Sequence, residues 1–157
     1  MNLEETDLSW RVWLAGYRVV FVPSSVVYHA YRTPKKEMHR YYSKYIVRYY
    51  GCRNYLTTSI KNLALVNLFR ILPLQVGCLF FLSLFFLYRG LPEDSFYVLK
   101  AIGWNLLNLD SVLRKRQIIN SCIRKVGDAK FLPKVSDQKS LVYYFGKATS
   151  YITGRPF

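Results

Sequence analysis

Hydrophobic and polar positions divide the chain into segments of different period. The plainest is Ile71 to Tyr88, ILPLQVGCLFFLSLFFLY, 18 residues without a charge between Arg70 and Arg89. As a helix rising about 1.5 Å per residue it reaches roughly 27 Å, close to the thickness of a bilayer's hydrocarbon core. The pattern predicts a transmembrane helix with Pro73 near its start, where a first turn tolerates proline. Ser95 to Leu109 is a second, weaker apolar run, interrupted by Lys100 and Asn105. It reads either as the second arm of a membrane hairpin or as a shallow re-entrant or interfacial segment.

Upstream, Glu4 to His29 runs EETDLSWRVWLAGYRVVFVPSSVVYH. Leu8, Val12 and Leu14 alternate with polar neighbours, which predicts a helix capped by Thr6 or Asp7 and ended by a left-handed residue at Gly16. Tyr17 to Val22 is rich in β-branched and aromatic residues and predicts a strand. Pro23 and the two serines predict a turn, and Val26 to Tyr28 a second strand closing on His29. From Lys35 to Lys61 the pattern predicts one helix, or two with a break at Gly51. It carries Lys35, Lys36, Arg40, Lys44, Arg48, Arg53 and Lys61, with seven tyrosines between residues 31 and 55. Cations interleaved with tyrosines could track nucleic acid. The apolar run that follows favours an interfacial helix instead, tyrosines at headgroup depth and lysines snorkelling, and no nucleic-acid partner is expected.

Composition sharpens this. Fifty-two per cent hydrophobic residues, 17% aromatic, and a net charge of +14 over 157 residues are unusual for a water-soluble domain and point to apolar and anionic surroundings. Lysine plus arginine number eleven over residues 1 to 70, one over the connector 89 to 94, and ten over 110 to 157, with Lys100 completing the 23. A two-helix hairpin would place both basic flanks on the cytoplasmic side. Arg114-Lys115-Arg116 and Arg124-Lys125 suit either attraction to anionic lipid or a solvated helix face. Beyond Gly127 a loosely structured end is expected, with one amphipathic stretch from Leu141 to Tyr151. Cys52, Cys78 and Cys122 are widely spaced and odd in number, which gives neither a metal pattern nor a disulfide framework.

The acidic pair, Asp7, Trp10-Arg11, Leu-Ala-Gly-Tyr-Arg, Val-Val-Phe-Val-Pro and the closing Val-Tyr-His resemble, in that order, the acceptor-side end of a family 2 glycosyltransferase catalytic domain, rhamnosyltransferase-like branch. The resemblance covers roughly residues 3 to 62 and continues weakly through Arg53-Asn54 and Lys61-Asn62. It implies an α/β fragment, the C-terminal helix and two strands of a GT-A domain over residues 1 to 33. A basic, aromatic interfacial helix (34 to 62), membrane-associated helices (63 to 110) and a basic cytoplasmic tail (111 to 157) would follow. The nucleotide-binding half of such an enzyme, with its Asp-x-Asp motif, has no counterpart here, nor has a Gly-rich phosphate loop. The chain is therefore expected to be a gene fragment or to work with a separate chain, and to be inactive alone.

By the same resemblance the activity is inverting transfer of a sugar from a nucleotide-sugar donor to a lipid-linked or polysaccharide acceptor, at the cytoplasmic face of the cell membrane, with a divalent metal, Mg or Mn. The catalytic base of the family falls on Glu5, where the usual Asp is replaced by a residue one methylene longer. Glu4 and Asp7 would support it. Trp10 and Arg11 would bind the diphosphate or the acceptor, and His29 would help hold the donor's metal. The residues by themselves carry a plainer reading as well. Three acids near a helix N-terminus complement its dipole, and Arg11 can pair with Asp7 four residues earlier. A small membrane scaffold or accessory protein with a basic cytoplasmic tail is the alternative function.

Overall fold

The computed structural model describes residues 3–26 and 44–135. Within them the chain is helical: α1 (Glu4–Leu14), α2 (Lys44–Asn62), α3 (Leu65–Tyr88), α4 (Pro92–Leu107) and α5 (Leu109–Ile118), a π-helical turn (Ile119–Ile123), and α6 (Asp128–Val135).

The start of α1 differs from expectation. Leu3, at φ 71°, holds the N-cap position without a side-chain cap, and Asp7 lies one turn inside the helix rather than at its end. Glu4, Glu5 and Asp7 in the first turn still suit the positive pole of the dipole. Gly16 ends the helix as expected, at φ 87°. The Gly16 amide donates to the Trp13 carbonyl at 2.9 Å and the Tyr17 amide to Val12 at 3.1 Å, a Schellman pair that satisfies carbonyls the helix leaves open.

The α/β expectation fails beyond that point. No strand occurs among the described residues, and Tyr17 to Val22 forms no ladder. Val20 is 71% exposed and Phe21 88%. β-branched and aromatic residues favour extended backbone, but a strand exists only where its amides and carbonyls find a neighbour, and among the described residues this stretch pairs with none. The turn at Pro23-Ser24 does form, the Ser25 amide donating to Val22 at 3.0 Å. The expected second strand, Val26 to Tyr28, runs into residues outside the described ones, as do His29, the start of the 35–61 helix and the stretch 141–151.

Helix α2 lies at the centre and packs against α1, α3, α4 and α5. It passes through Gly51 without a break. Its second half is buried on one side, where Leu56, Ile60 and the following Leu63 join two clusters, with Leu68 and Val112 in one and Leu79 and Val98 in the other. α3 starts six residues before the uncharged run, at Leu65, so Pro73 stands inside it rather than in its first turn. α3 is the one helix among the described residues long and apolar enough to cross a membrane. Phe69, Leu74, Phe81 and Tyr88 are 70% or more exposed along it.

A tight turn joins α3 to α4. Gly90 at φ 69° repeats the Schellman arrangement, its amide donating to Leu87 at 3.0 Å and that of Leu91 to Phe86 at 2.8 Å, and Pro92 opens the next helix at N1, where it loses no hydrogen bond. Polar pairs tie the helices inside an otherwise apolar interface. Ser83 and Ser95 share a hydroxyl bond of 2.6 Å between α3 and α4, the Gln75 amide donates to Ser59 at 2.9 Å between α3 and α2, and Arg48 pairs with the buried Asp94 between α2 and α4.

The end of the described chain closes the bundle by serving helix termini. Arg116 Nη1 donates to the carbonyl of Ile60 and Arg124 Nη2 to that of Asn62, both in the last turn of α2, where cations also meet the negative pole. Burial, then the neighbouring Arg124, lowers the Arg116 pKa, with Asp128 acting the other way. Asp128 accepts from the Ala64 amide at 2.7 Å at the head of α3, and the amides of Lys125 and Val126 donate to the Leu14 carbonyl at the end of α1. Arg116 and Arg124 thus have an internal structural role.

Candidate functional site

Asp7 is where the acidic helix meets the rest of the bundle. Because α1 repeats every 3.6 residues, Glu4, Asp7 and Arg11 share one face, and that face lies on the C-terminal half of α2. Asp7 Oδ1 accepts from Asn62 Nδ2 at 2.8 Å and Oδ2 from Lys61 Nζ at 2.9 Å, while Arg11 Nε stands 3.3 Å from Oδ2. Asp7 and Lys61 keep only 13% and 15% of their side-chain surface exposed, so the pair is screened far less than a surface salt bridge.

Beside this junction is a polar cavity of about 220 Å³ between α1, α2, α4 and α5. Arg53, Thr57 and Lys61 face it at i, i+4 and i+8 of α2, with Glu4 and Asp7 from α1 and Lys115 from α5. Arg53 is held flat: its guanidinium lies 4.6 Å from the Trp104 ring and 4.5 Å from Tyr50, and its Nε and Nη2 donate to Asn54 Oδ1 at 3.0 and 2.9 Å. Behind it the Thr57 hydroxyl donates to Asn105 Oδ1 at 2.7 Å, and Asn105 Nδ2 donates to the Arg53 carbonyl at 3.2 Å. The lining holds three cations, Arg53, Lys61 and Lys115, against two carboxylates, Glu4 and Asp7, an excess of one positive charge.

The residues singled out from sequence are placed as follows. Glu4 and Asp7 come together in the cavity, whereas Glu5 is exposed and lies outside its lining. Arg11 makes the pair with Asp7. Trp10 is half-buried and packs against both the Leu63–Val112 and the Leu14–Ile119 clusters, which gives it a core role. His29 lies outside the described residues.

Among the described residues the donor set does not suit a divalent metal, and His29, the ligand expected from the resemblance, lies outside them. Among the described residues no three His, Cys, Asp or Glu side chains gather, and both oxygens of Asp7 are taken by nitrogen donors, two of them on cations.

Lys61, Asn62, Arg53 and Lys115 were not among the site residues expected from sequence, where Arg53 and Lys61 count as cations of an interfacial helix and Lys115 as part of a lipid-facing or solvated basic cluster. The signal that could have found them is the polar stripe Arg53, Thr57, Lys61 at helical spacing; the partner at its end, Asp7, is 54 residues away in the chain. Compared with known proteins, the chain matches no protein-family model, no curated protein and no solved structure.

Proposed function

We propose that the chain is the acceptor-side, membrane-seated part of an enzyme that transfers a sugar from a nucleotide-sugar donor to a lipid-linked acceptor at the cytoplasmic face of the cell membrane. The donor site would be supplied from outside these 157 residues, on a separate chain or another segment. One observation carries this. The stretches bearing the family 2 glycosyltransferase resemblance, the acidic helix and the Arg53-Asn54 and Lys61-Asn62 pairs of α2, are about 50 residues apart and nevertheless meet in one polar cavity through the Asp7–Lys61–Asn62 contacts. The exposed apolar side of α3 supports a membrane seat for the same bundle.

In this reaction Glu5 takes the proton of the acceptor hydroxyl as its oxygen bonds to the anomeric carbon. The bond from that carbon to the nucleoside diphosphate breaks, and the diphosphate leaves with the electron pair. Glu5 is exposed on α1, which leaves it open to a donor half supplied from elsewhere. Asp7, fixed by Lys61, Asn62 and Arg11, orients the helix that presents it. No step is assigned to a metal.

The test is genetic and chemical. Deleting the coding sequence in its host, followed by mass spectrometry of lipid-linked glycans, should show species one sugar short. Wild type should restore them and Glu5→Gln should not. A glycan profile unchanged by the deletion would overturn the reading, and full rescue by Glu5→Gln together with a deletion phenotype would favour an accessory or scaffold role.

A further inference from the structure

On the other side of Leu3 and Thr58 from the polar cavity lies a second one, of about 300 Å³ and mostly apolar, between α1, α2, α3 and α6. Leu3 and Thr58 line both. Its walls include Trp10, Leu63, Ile71 and Leu132, and Ile71 belongs to α3, the helix whose outer side is apolar and exposed. One polar group stands out in it. Gln75 is 8% exposed, its Nε2 donates to Ser59, and its Oε1 is buried without a donor. A hydrocarbon chain offers that oxygen no donor, and it is the apolar lining around it that suits a chain. Adjacent cavities, one cationic and one apolar, are the two halves of an amphiphile site: an anionic head fits the first and a hydrocarbon chain the second.

We infer that the two cavities together bind a single-chain lipid phosphate. The phosphate lies against Lys115 and Arg53, and the chain passes Leu3 and Thr58 into the apolar cavity, entering from the side of α3. This binding is separate from the sugar-transfer reading, since Glu5, the base in that reading, lies outside the cavity that takes the phosphate. Lys115 is the decisive cation, because Lys61 is already committed to Asp7 and Arg53 to Asn54 and the rings around it. Lys115 is exposed at the mouth of the cavity and free to turn toward a phosphate oxygen.

The test uses the full chain in phosphatidylcholine nanodiscs, with hexadecyl phosphate, hexadecanol and inorganic phosphate as probes. Binding is followed by tryptophan fluorescence, since Trp10 lines one cavity and Trp104 the other. Hexadecyl phosphate should bind at least about tenfold more tightly than either half-probe, as expected when head and chain are both recognised. Lys115→Ala should weaken it about tenfold without changing hexadecanol, whereas Lys130→Ala, the same loss of charge outside both cavities, should change nothing. Thr6→Trp, at an exposed position lining the apolar cavity, should reduce binding of both chain-bearing probes and spare inorganic phosphate. Inorganic phosphate binding as tightly as hexadecyl phosphate, equal losses from Lys115→Ala and Lys130→Ala, or no effect of Thr6→Trp would each overturn the inference. None of these outcomes bears on sugar transfer, which is read from the glycan profile.

Discussion

Asp128→Ala should destabilise the bundle strongly, because this carboxylate ties the α2–α3 corner to the start of α6. Asp128 is 2% exposed at its side chain and serves three donors at once: the Ala64 amide at 2.7 Å, Asn67 Nδ2 at 2.9 Å and Arg124 Nη1 at 2.8 Å. Truncation leaves Arg124, 15% exposed, without its counter-ion, although its bonds to Asn120 and the Asn62 carbonyl persist. Breaking a buried pair from one side costs about 3–5 kcal/mol, and within that figure the lost cap at the head of α3 accounts for about 1 kcal/mol. Set against the roughly 5–15 kcal/mol that holds a domain together, such a loss is severe. Asp128→Asn keeps an acceptor for the Ala64 amide and loses the charge, so it should cost less, about 1–3 kcal/mol.

The assay is guanidinium unfolding in a mild detergent, followed by fluorescence of the tryptophans of α1, with an unchanged slope required before midpoints are compared. A double-mutant cycle completes it. With Arg124→Ala as second variant, the double should lose at least about 1 kcal/mol less than the sum of the singles, because the stranded cation is gone. Asp128→Ala within about 0.5 kcal/mol of wild type, or strict additivity with Arg124→Ala, would refute the view that this carboxylate ties the α2–α3 corner to the end of the described chain.

Gly16→Ala and Gly90→Ala should each cost about 1–2 kcal/mol, and similar amounts, since both glycines have positive φ and an added Cβ meets only Val126 at 3.9 Å in the first case and nothing within 4 Å in the second; unfolding midpoints compare them directly. With α3 seated in a membrane as proposed, a hydrophilic maleimide should label Cys122, exposed beyond α5, in intact membranes and spare Cys78, exposed on α3. Detergent should then release Cys78, and equal labelling of the two in intact membranes would place α3 in water. Cys52 should react slowest, because burial pushes its thiol pKa up, with Arg48 opposing less strongly. That shift sets a pH dependence: the folded state keeps a proton the unfolded chain releases, so the contribution is complete below the ordinary value of 9.0 and is lost as pH rises beyond it. Wild type should therefore lose stability relative to Cys52→Ala above about pH 9 in paired unfolding curves, and parallel curves would show that the thiol is not shielded in the fold.

What could be read from sequence was whatever is decided within a few residues. The glycine stop at Gly16 and the turn at Pro23-Ser24 are local in cause and appear as expected, and the uncharged run is helical, although its helix begins at Leu65 and holds Pro73 inside it. The Tyr17–Val22 strand was not decidable in that way. Its residues have strand propensity, but a ladder depends on a neighbour that no local pattern reveals. The sequence leaves one helix, or two with a break at Gly51, and the packing of α2 against four other helices overrides the weak propensity of that glycine. In the site, the Asp7–Arg11 pair was legible as an i, i+4 spacing, whereas Lys61 and Asn62 reach Asp7 only through tertiary structure.

The basic clusters show most clearly where composition misleads. Arg114-Lys115-Arg116 and Arg124-Lys125 count as five surface cations on a chain of net charge +14. In the fold Arg116 and Arg124 serve the last carbonyls of α2, because a helix that ends inside a bundle has no water to meet them. Arg114 pairs along its own helix with Asp110, an exposed contact worth little. Lys115 and Lys125 then remain from these clusters for an anionic partner. Of the two, only Lys115 stands at a cavity with an apolar neighbour. These two clusters therefore offer a membrane surface less attraction than their count of five implies, and the proposed recognition of an anionic headgroup rests on the position of one lysine rather than on the number of them.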